Sequence, residues 1–316
     1  MEKEKTKKFK IRQELTIPLV LLALWIILAI LNPTFFTVRN ITNLLRQASI
    51  LGIASVGVTF LLVTGQSDLS VGSVMGLGAM VSTYTMSIGV PVPVSIILAL
   101  LASMLVGVIN GNIIYTTKVP AFIATLGTMT AVRGVAQLIT GGLIISGLPK
   151  SFTAFASGSF LGIPYLVWTM FIAVAIGQFV LHKTIYGRNL YAVGSNIEVA
   201  RLSGINVSFH VKSVYVLAST MAGFAGILYA SRLSQGLPTT GSGYELNAIT
   251  AAVIGGTSFM GGEGTVIGTL FGAVLMTTID NGGNLLRINQ FVLNIITGVI
   301  TVSAVVIDTL RRRKES

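Results

Sequence analysis

The sequence predicts an all-α, polytopic helical membrane protein of about ten transmembrane helices, some broken or short, with both termini in the cytoplasm. Three observations carry that prediction. Of 316 residues, 53% are hydrophobic and 10% are charged, whereas soluble domains carry roughly a quarter charged residues. Apolar stretches of membrane-crossing length recur between charged or Gly/Pro-rich breaks. Most of the 21 Lys and Arg residues gather in three places: Lys3, Lys5, Lys7, Lys8, Lys10 and Arg12; Lys183, Arg188, Arg201 and Lys212; and Arg311, Arg312, Arg313 and Lys314.

The net charge of +11 also suits a nucleic-acid binder. Basic clusters confined to short segments between apolar stretches, however, follow the positive-inside rule and need no polyanionic partner. A basic N-terminal segment, 1–16, precedes the first span, 17–35. A charged head before an apolar run also opens a signal peptide, but no convincing small-residue cleavage site follows, and the run reads as a retained helix.

The next spans are 44–65, 69–88, 92–115 and 120–140, followed by 164–182, 211–232, 245–259, 264–284 and 290–309. Starting inside, this order leaves the connection 183–211 and the tail 310–316 inside as well, in agreement with the charge pattern. Residues 1–316 thus read as a single transmembrane domain.

Two spans are interrupted, at Gly65-Gln66-Ser67-Asp68 and at Gly255-Gly256-Thr257-Ser258 followed by Gly261-Gly262-Glu263-Gly264. Non-helical backbone at membrane depth has to be shielded from lipid. Both breaks precede small-residue helices, which hints at an internal repeat. Gly72 and Gly76, Gly107 and Gly111, and Gly264, Gly268 and Gly272 recur every four residues, a spacing that lets helices approach closely.

In the cytoplasmic connection, Ser195-Asn196-Ile197-Glu198 has the capping-box spacing, in which hydroxyl and carboxylate satisfy the first free amides. The short helix it starts ends at Gly204, which suits a left-handed stop. A solvated loop helix and a knob presented to a partner both fit. Asp68 lies deep among the first-half spans, where an ionisable group marks function by default, yet Asp-Leu-Ser also fits a helix N-cap. Asn110, Asn112, Thr125, Thr128 and Gln137 offer hydrogen bonds inside the bundle.

The order and spacing of Gly187-Arg188-Asn189, Ala192-Val193-Gly194-Ser195-Asn196 and Ala200-Arg201-Leu202-Ser203-Gly204-Ile205 carry a family resemblance. So do Gly241-Ser242-Gly243-Tyr244-Glu245-Leu246-Asn247-Ala248-Ile249, Gly255-Gly256-Thr257-Ser258, Asp280-Asn281-Gly282, Asp68-Leu69-Ser70-Val71-Gly72 and the run from Pro120 to Gly127. Together they resemble the permease subunits of ribose-type (ribose, xylose, galactoside) sugar ABC importers. That binding-protein-dependent transport family also includes branched-chain amino-acid permeases. Gln66-Ser67 stands where the family usually has Gly-Ile, and Asn247 where Asp is common.

The resemblance implies a multi-pass permease in the bacterial cytoplasmic membrane, surrounded by lipid and paired with a second permease copy as a homodimer or related heterodimer. Cytoplasmic ABC ATPases would hydrolyse ATP with Mg, this chain holding no cofactor. A sugar-binding protein would deliver a monosaccharide such as ribose outside. Ser195, Asn196, Glu198, Ala200, Arg201, Leu202, Ser203, Gly204 and Ile205 would form the coupling helix. Asp68, Ser70, Asn110, Thr125 and Asn247 are candidates for the translocation path or its support. Related permeases for nucleosides or branched-chain amino acids share the broad fold, and Asp68-Leu69-Ser70-Val71-Gly72 tilts the reading toward sugars.

Other function classes make demands that the sequence does not meet. The chain contains no cysteine, which excludes disulfides and thiolate metal sites. It contains no Gly-Lys and therefore no P-loop, so the energy source is expected on another chain. His182 and His210 lie far from metal-ligand spacing. An ion-coupled carrier would use intramembrane ionisable groups, for which Asp68, Arg133, Glu245 and Asp280 are sparse candidates. A membrane enzyme would need a convergent catalytic set, and none is visible.

Overall fold

The computed structural model describes residues 2–315, and the side-chain surroundings of residues 16–310. The basic side chains up to Arg12 and at 311–314 lie outside the latter. The chain runs through α1 (Glu2–Leu31), α2 (Val38–Val63), α3 (Val71–Ser87), α4 (Val92–Thr117), α5 (Ala121–Leu138) and the short α6 (Lys150–Ser157). A two-residue antiparallel pair, β1 (Ser159–Phe160) and β2 (Ile163–Pro164), leads into α7 (Tyr165–Lys183), α8 (Ile185–Ser195) and α9 (Ile197–Leu202). Helices α10 (Val207–Leu233), α11 (Tyr244–Ile254), α12 (Val266–Leu285) and α13 (Gln290–Glu315) complete it.

Among the described residues, five helices are long and apolar enough to cross a membrane by themselves: α2, α4, α7, α10 and the 290–310 stretch of α13. The chemistry of their faces fits a bilayer. On α4, Ile97, Leu101, Leu105 and Ile109 form an exposed apolar stripe, while Ala99, Ser103, Val106, Asn110 and Ile114 on the other face are buried. In water such a stripe would be costly; against lipid tails it costs nothing.

Helix α10 forms the centre of the bundle, packing on α2, α3 and α4. Small residues permit the approach. A side chain added at Gly107 would meet the backbone of Tyr215 and Val216, at Gly57 that of Ala218, and at Gly226 that of Met75. The four-residue glycine spacing therefore does mark close crossings, and Gly268 and Gly272 do the same against Gly255 and Ala251.

One sequence expectation needs correcting, and two connections hold more structure than expected. The span expected over 245–259 ends at Ile254, because Gly255 and Gly256 break it, the latter with φ +87°. The connection after α7 holds two helices, with α8 starting at a Thr184 cap whose hydroxyl accepts from the Gly187 N–H. Before α7 the chain inserts α6 and the β1–β2 hairpin, whose signals are too short and local to stand out from a loop.

Candidate functional site

Connections at one end of the bundle converge on α8 and α9. Helix α9 is capped by Asn196, whose side-chain oxygen accepts from the N–H groups of Glu198 and Val199, both at 3.0 Å. The expected capping box of Ser195 and Glu198 does not form, and the cap falls one residue later. Ser195 closes α8 instead, and Glu198, free of a capping role, pairs with Arg201 at 3.0 Å. The expected stop holds: Gly204 adopts φ +80°, with Gly204 N–H donating to Arg201 O and Ile205 N–H to Ala200 O. That is the double hydrogen bond of a Schellman ending.

Capping at both ends stabilises a two-turn helix that propensity alone would not hold. It also fixes which face is offered. Ala200 is 2% exposed and seats the helix, whereas Val199 and Leu202 are 58% and 87% exposed. Glu198, Arg201 and Ser203 surround them on the open side, and Ile205 is half-buried.

The base of this knob is locked to both helix breaks through backbone contacts. Gly262 N–H donates to Val63 O at 2.8 Å. A side chain at Gly194 would collide with Val63 O and Gly262 N, and one at Gly261 with Gly194 O and Gly65 N. Tyr191 adds a side-chain tie, its hydroxyl donating to Gly264 O at 2.6 Å and lying 3.2 Å from His182 Nδ1. Burial pushes the Tyr191 hydroxyl above the ordinary tyrosine range, which keeps that donor protonated. His210 stacks on Tyr186 and bonds Asn206 O through Nδ1, a structural placement at the start of α10.

The first break rises from Gly65 into a closed polar network. Asp68, 2% exposed, accepts from Ser70 N–H at 2.7 Å and from the Ser70 hydroxyl at 2.6 Å. Asn110 of α4 donates to Ser70 Oγ at 3.0 Å and to Asp68 Oδ2 at 3.4 Å, and Thr128 of α5 donates to Asn110 Oδ1 at 2.7 Å. Tyr215 of α10 donates to Gln66 Oε1 and Ser67 O, both at 3.2 Å. The N-cap position of α3 is Ser70 and carries no side-chain cap, so the expected capping role of Asp68 is not met. Asp68 instead closes the turn before the helix on Ser70, and the network ties that turn to α4, α5 and α10 in an environment where unpaired polar groups are costly.

The other candidates do not join it. Thr125 is buried but bonds back to Ala121 O, and Asn112 and Gln137 are exposed. Asn247 is half-buried in the first turn of α11. Gln66, Thr128 and Tyr215 complete the network. Sequence reading passed over Tyr215, because a tyrosine inside an apolar helix carries no signal of where its hydroxyl reaches.

The family model described as branched-chain amino acid transport system / permease component matches residues 40–305. The ribose import permease protein of Haemophilus influenzae is 41% identical over 315 residues, covering 98% of each chain. That of Bacillus subtilis is 42% identical over 290 residues, covering 91% of this chain and 90% of its own. The galactose/methyl galactoside import permease protein of Haemophilus influenzae is 35% identical over 331 residues, covering 99% and 98%. No solved structure matches the chain.

Proposed function

From the premise that the chain belongs to the branched-chain amino acid transport system / permease component family, we propose that it is the membrane-spanning subunit of an ABC importer for ribose or a closely related monosaccharide. The names of its full-length relatives favour a sugar over an amino acid or a nucleoside. Helices α1–α5, α7 and α10–α13 serve as the ten spans, and the end bearing α8 and α9 is the cytoplasmic one, where both termini lie. The exposed face of α5 around Gly127, Ala131 and Gly134 is left open for a second permease copy.

The observation that carries the reading is α9: a helix capped at both ends, seated on Ala200, with Val199 and Leu202 offered outward and its base interlocked with two helix breaks. In this arrangement a partner ATPase receives Val199 and Leu202. Closure of the ATPases on ATP and Mg moves α9, and the glycine junction passes that movement to α3 and α12. A binding protein outside supplies the sugar, and the chain itself catalyses nothing.

The test is reconstitution of the chain with its ATPase and sugar-binding partners in proteoliposomes, with labelled ribose outside. ATP-dependent uptake requiring all partners is expected. Leu202→Glu should abolish ATPase association while leaving the chain folded, since Leu202 is exposed. Uptake driven by an ion gradient without partners would point to a secondary carrier and refute the proposal.

A further inference from the structure

We propose that the non-helical segment 236–243, together with Arg133 and Glu245, forms a hydroxyl-reading wall of the solute pathway, an assignment that rests on the sugar-importer reading above. The segment leaves the end of α10 and runs down the side of α3. Gly236 packs on Thr83, the carbonyls of Pro238 and Thr240 lie against Gly76, and Gly241 and Glu245 lie against Gly72. From Thr83 to Gly72 is about three helical turns, or about 16 Å, so irregular backbone penetrates well into the apolar layer. Such backbone is tolerated where protein buries it or where it lines a water-filled cavity.

Here one side is buried and the other open. Gly236, Pro238, Thr240 and Gly241 are buried, while Thr239, Ser242 and Gly243 are exposed. Arg133 Nη1 donates to Pro238 O at 2.9 Å and to Thr240 O at 2.7 Å, which holds the segment in place and leaves the rest of its donor fork available. Glu245 Oε1 accepts from Gly243 N–H at 3.2 Å, whereas its Oε2 is buried without a partner. Ser73 Oγ and Thr240 Oγ1 are likewise buried and unpartnered. These three make up most of the unsatisfied buried side-chain atoms among the described residues, and they come from this segment, the first turn of α11 that follows it and the turn of α3 beside them.

Arg133 and Glu245 attract each other across the segment without forming a direct ion pair. A guanidinium donor and a carboxylate acceptor, with hydroxyls nearby and no net charge between them, suit a neutral polyhydroxylated solute. The unpartnered oxygens are closed off from solvent in this conformation, so a polyol reaches them only when the segment and α3 part. Each sugar hydroxyl both donates and accepts and can then serve the unused atoms of both residues. Gly72 and Gly76 keep the groove narrow and side-chain-free, because a methyl at either would strike Glu245 or Arg133.

The experiment uses the complete importer in proteoliposomes and reads labelled ribose accumulated per ATP hydrolysed, with labelled leucine as a second probe. Glu245→Gln is expected to lower ribose per ATP about tenfold, the loss of a charge-assisted hydrogen bond. Ser219→Ala, which removes a buried unpartnered hydroxyl outside this segment, should leave the ratio unchanged. If Glu245→Gln fails to assemble, Thr240→Val should lower the ratio and Thr240→Ser restore it. A wild-type ratio in Glu245→Gln, or equal losses in Thr240→Val and Thr240→Ser, would overturn the proposal. Leucine uptake in place of ribose by the wild-type complex would reassign the pair to a zwitterion. No uptake of either would bring down the importer reading itself, and this assignment with it.

Discussion

The two helix breaks lie against the same junction but are closed in different ways. The first, between α2 and α3, is sealed by side chains: Asp68 on Ser70, Asn110 on both, Thr128 on Asn110, and Tyr215 on Gln66. The second, between α11 and α12, is sealed by backbone and by its periphery. Gly256, Gly261, Gly262 and Gly264 all take positive φ, Asp308 of α13 accepts from Ser258 Oγ and Phe259 N–H, and Gln178 of α7 accepts from Val266 and Ile267 N–H. Buried side-chain networks specify one arrangement, whereas glycine backbone admits several at low cost. Under the proposed coupling motion of α9, this contrast makes the first break a fixed post and the second the hinge.

The severest way to break this comparison is at the junction both breaks share. Gly194→Val should cost about 4 kcal/mol and prevent accumulation of folded protein, because the side chain meets Val63 O and Gly262 N; wild-type melting in detergent would show that the breaks are not interlocked there. A middle-sized effect separates post from hinge. Asp68→Ala should cost about 3 kcal/mol, leaving the N–H and hydroxyl of Ser70 without their acceptor in a buried site, against about 1 kcal/mol for Asp308→Ala. Equal losses in thermal unfolding would remove the distinction. The smallest effect sharpens it: Gly256→Ala, at φ +87°, should cost about 1 kcal/mol in stability. Its larger signature should be slower ATP-driven uptake, since it stiffens the moving break; unchanged uptake at reduced stability would place the hinge elsewhere.

Much of the fold was legible in the sequence because bilayer thickness fixes how long an apolar run must be. Runs expected over 92–115 and 164–182 became Val92–Thr117 and Tyr165–Lys183, with Pro91 and Pro164 at their N-caps. What was not legible depended on contacts distant along the chain. Asn196 displaced Ser195 as the cap of α9 because Ser195 stays in α8, packed beside Gly262. The unusual Gln66 found its reason only in Tyr215, 149 residues away. The partial burial of Arg133 and Glu245 could not be read from charge counts, since segment 236–243 has no periodicity to show how deep it runs.

The ties between the beginning and the end of the chain carry a consequence for biosynthesis. Trp25 Nε1 donates to Thr278, Asn32 to Leu285 O, and Asn40 and Asn281 exchange reciprocal amide bonds. The partners are separated by 241 to 253 residues. At translation rates of about 5–20 residues per second, the ribosome needs tens of seconds to make the stretch between them. Throughout that interval the first spans sit in the bilayer with their polar anchors waiting, so the N-terminal helices enter first yet find their final partners among the last.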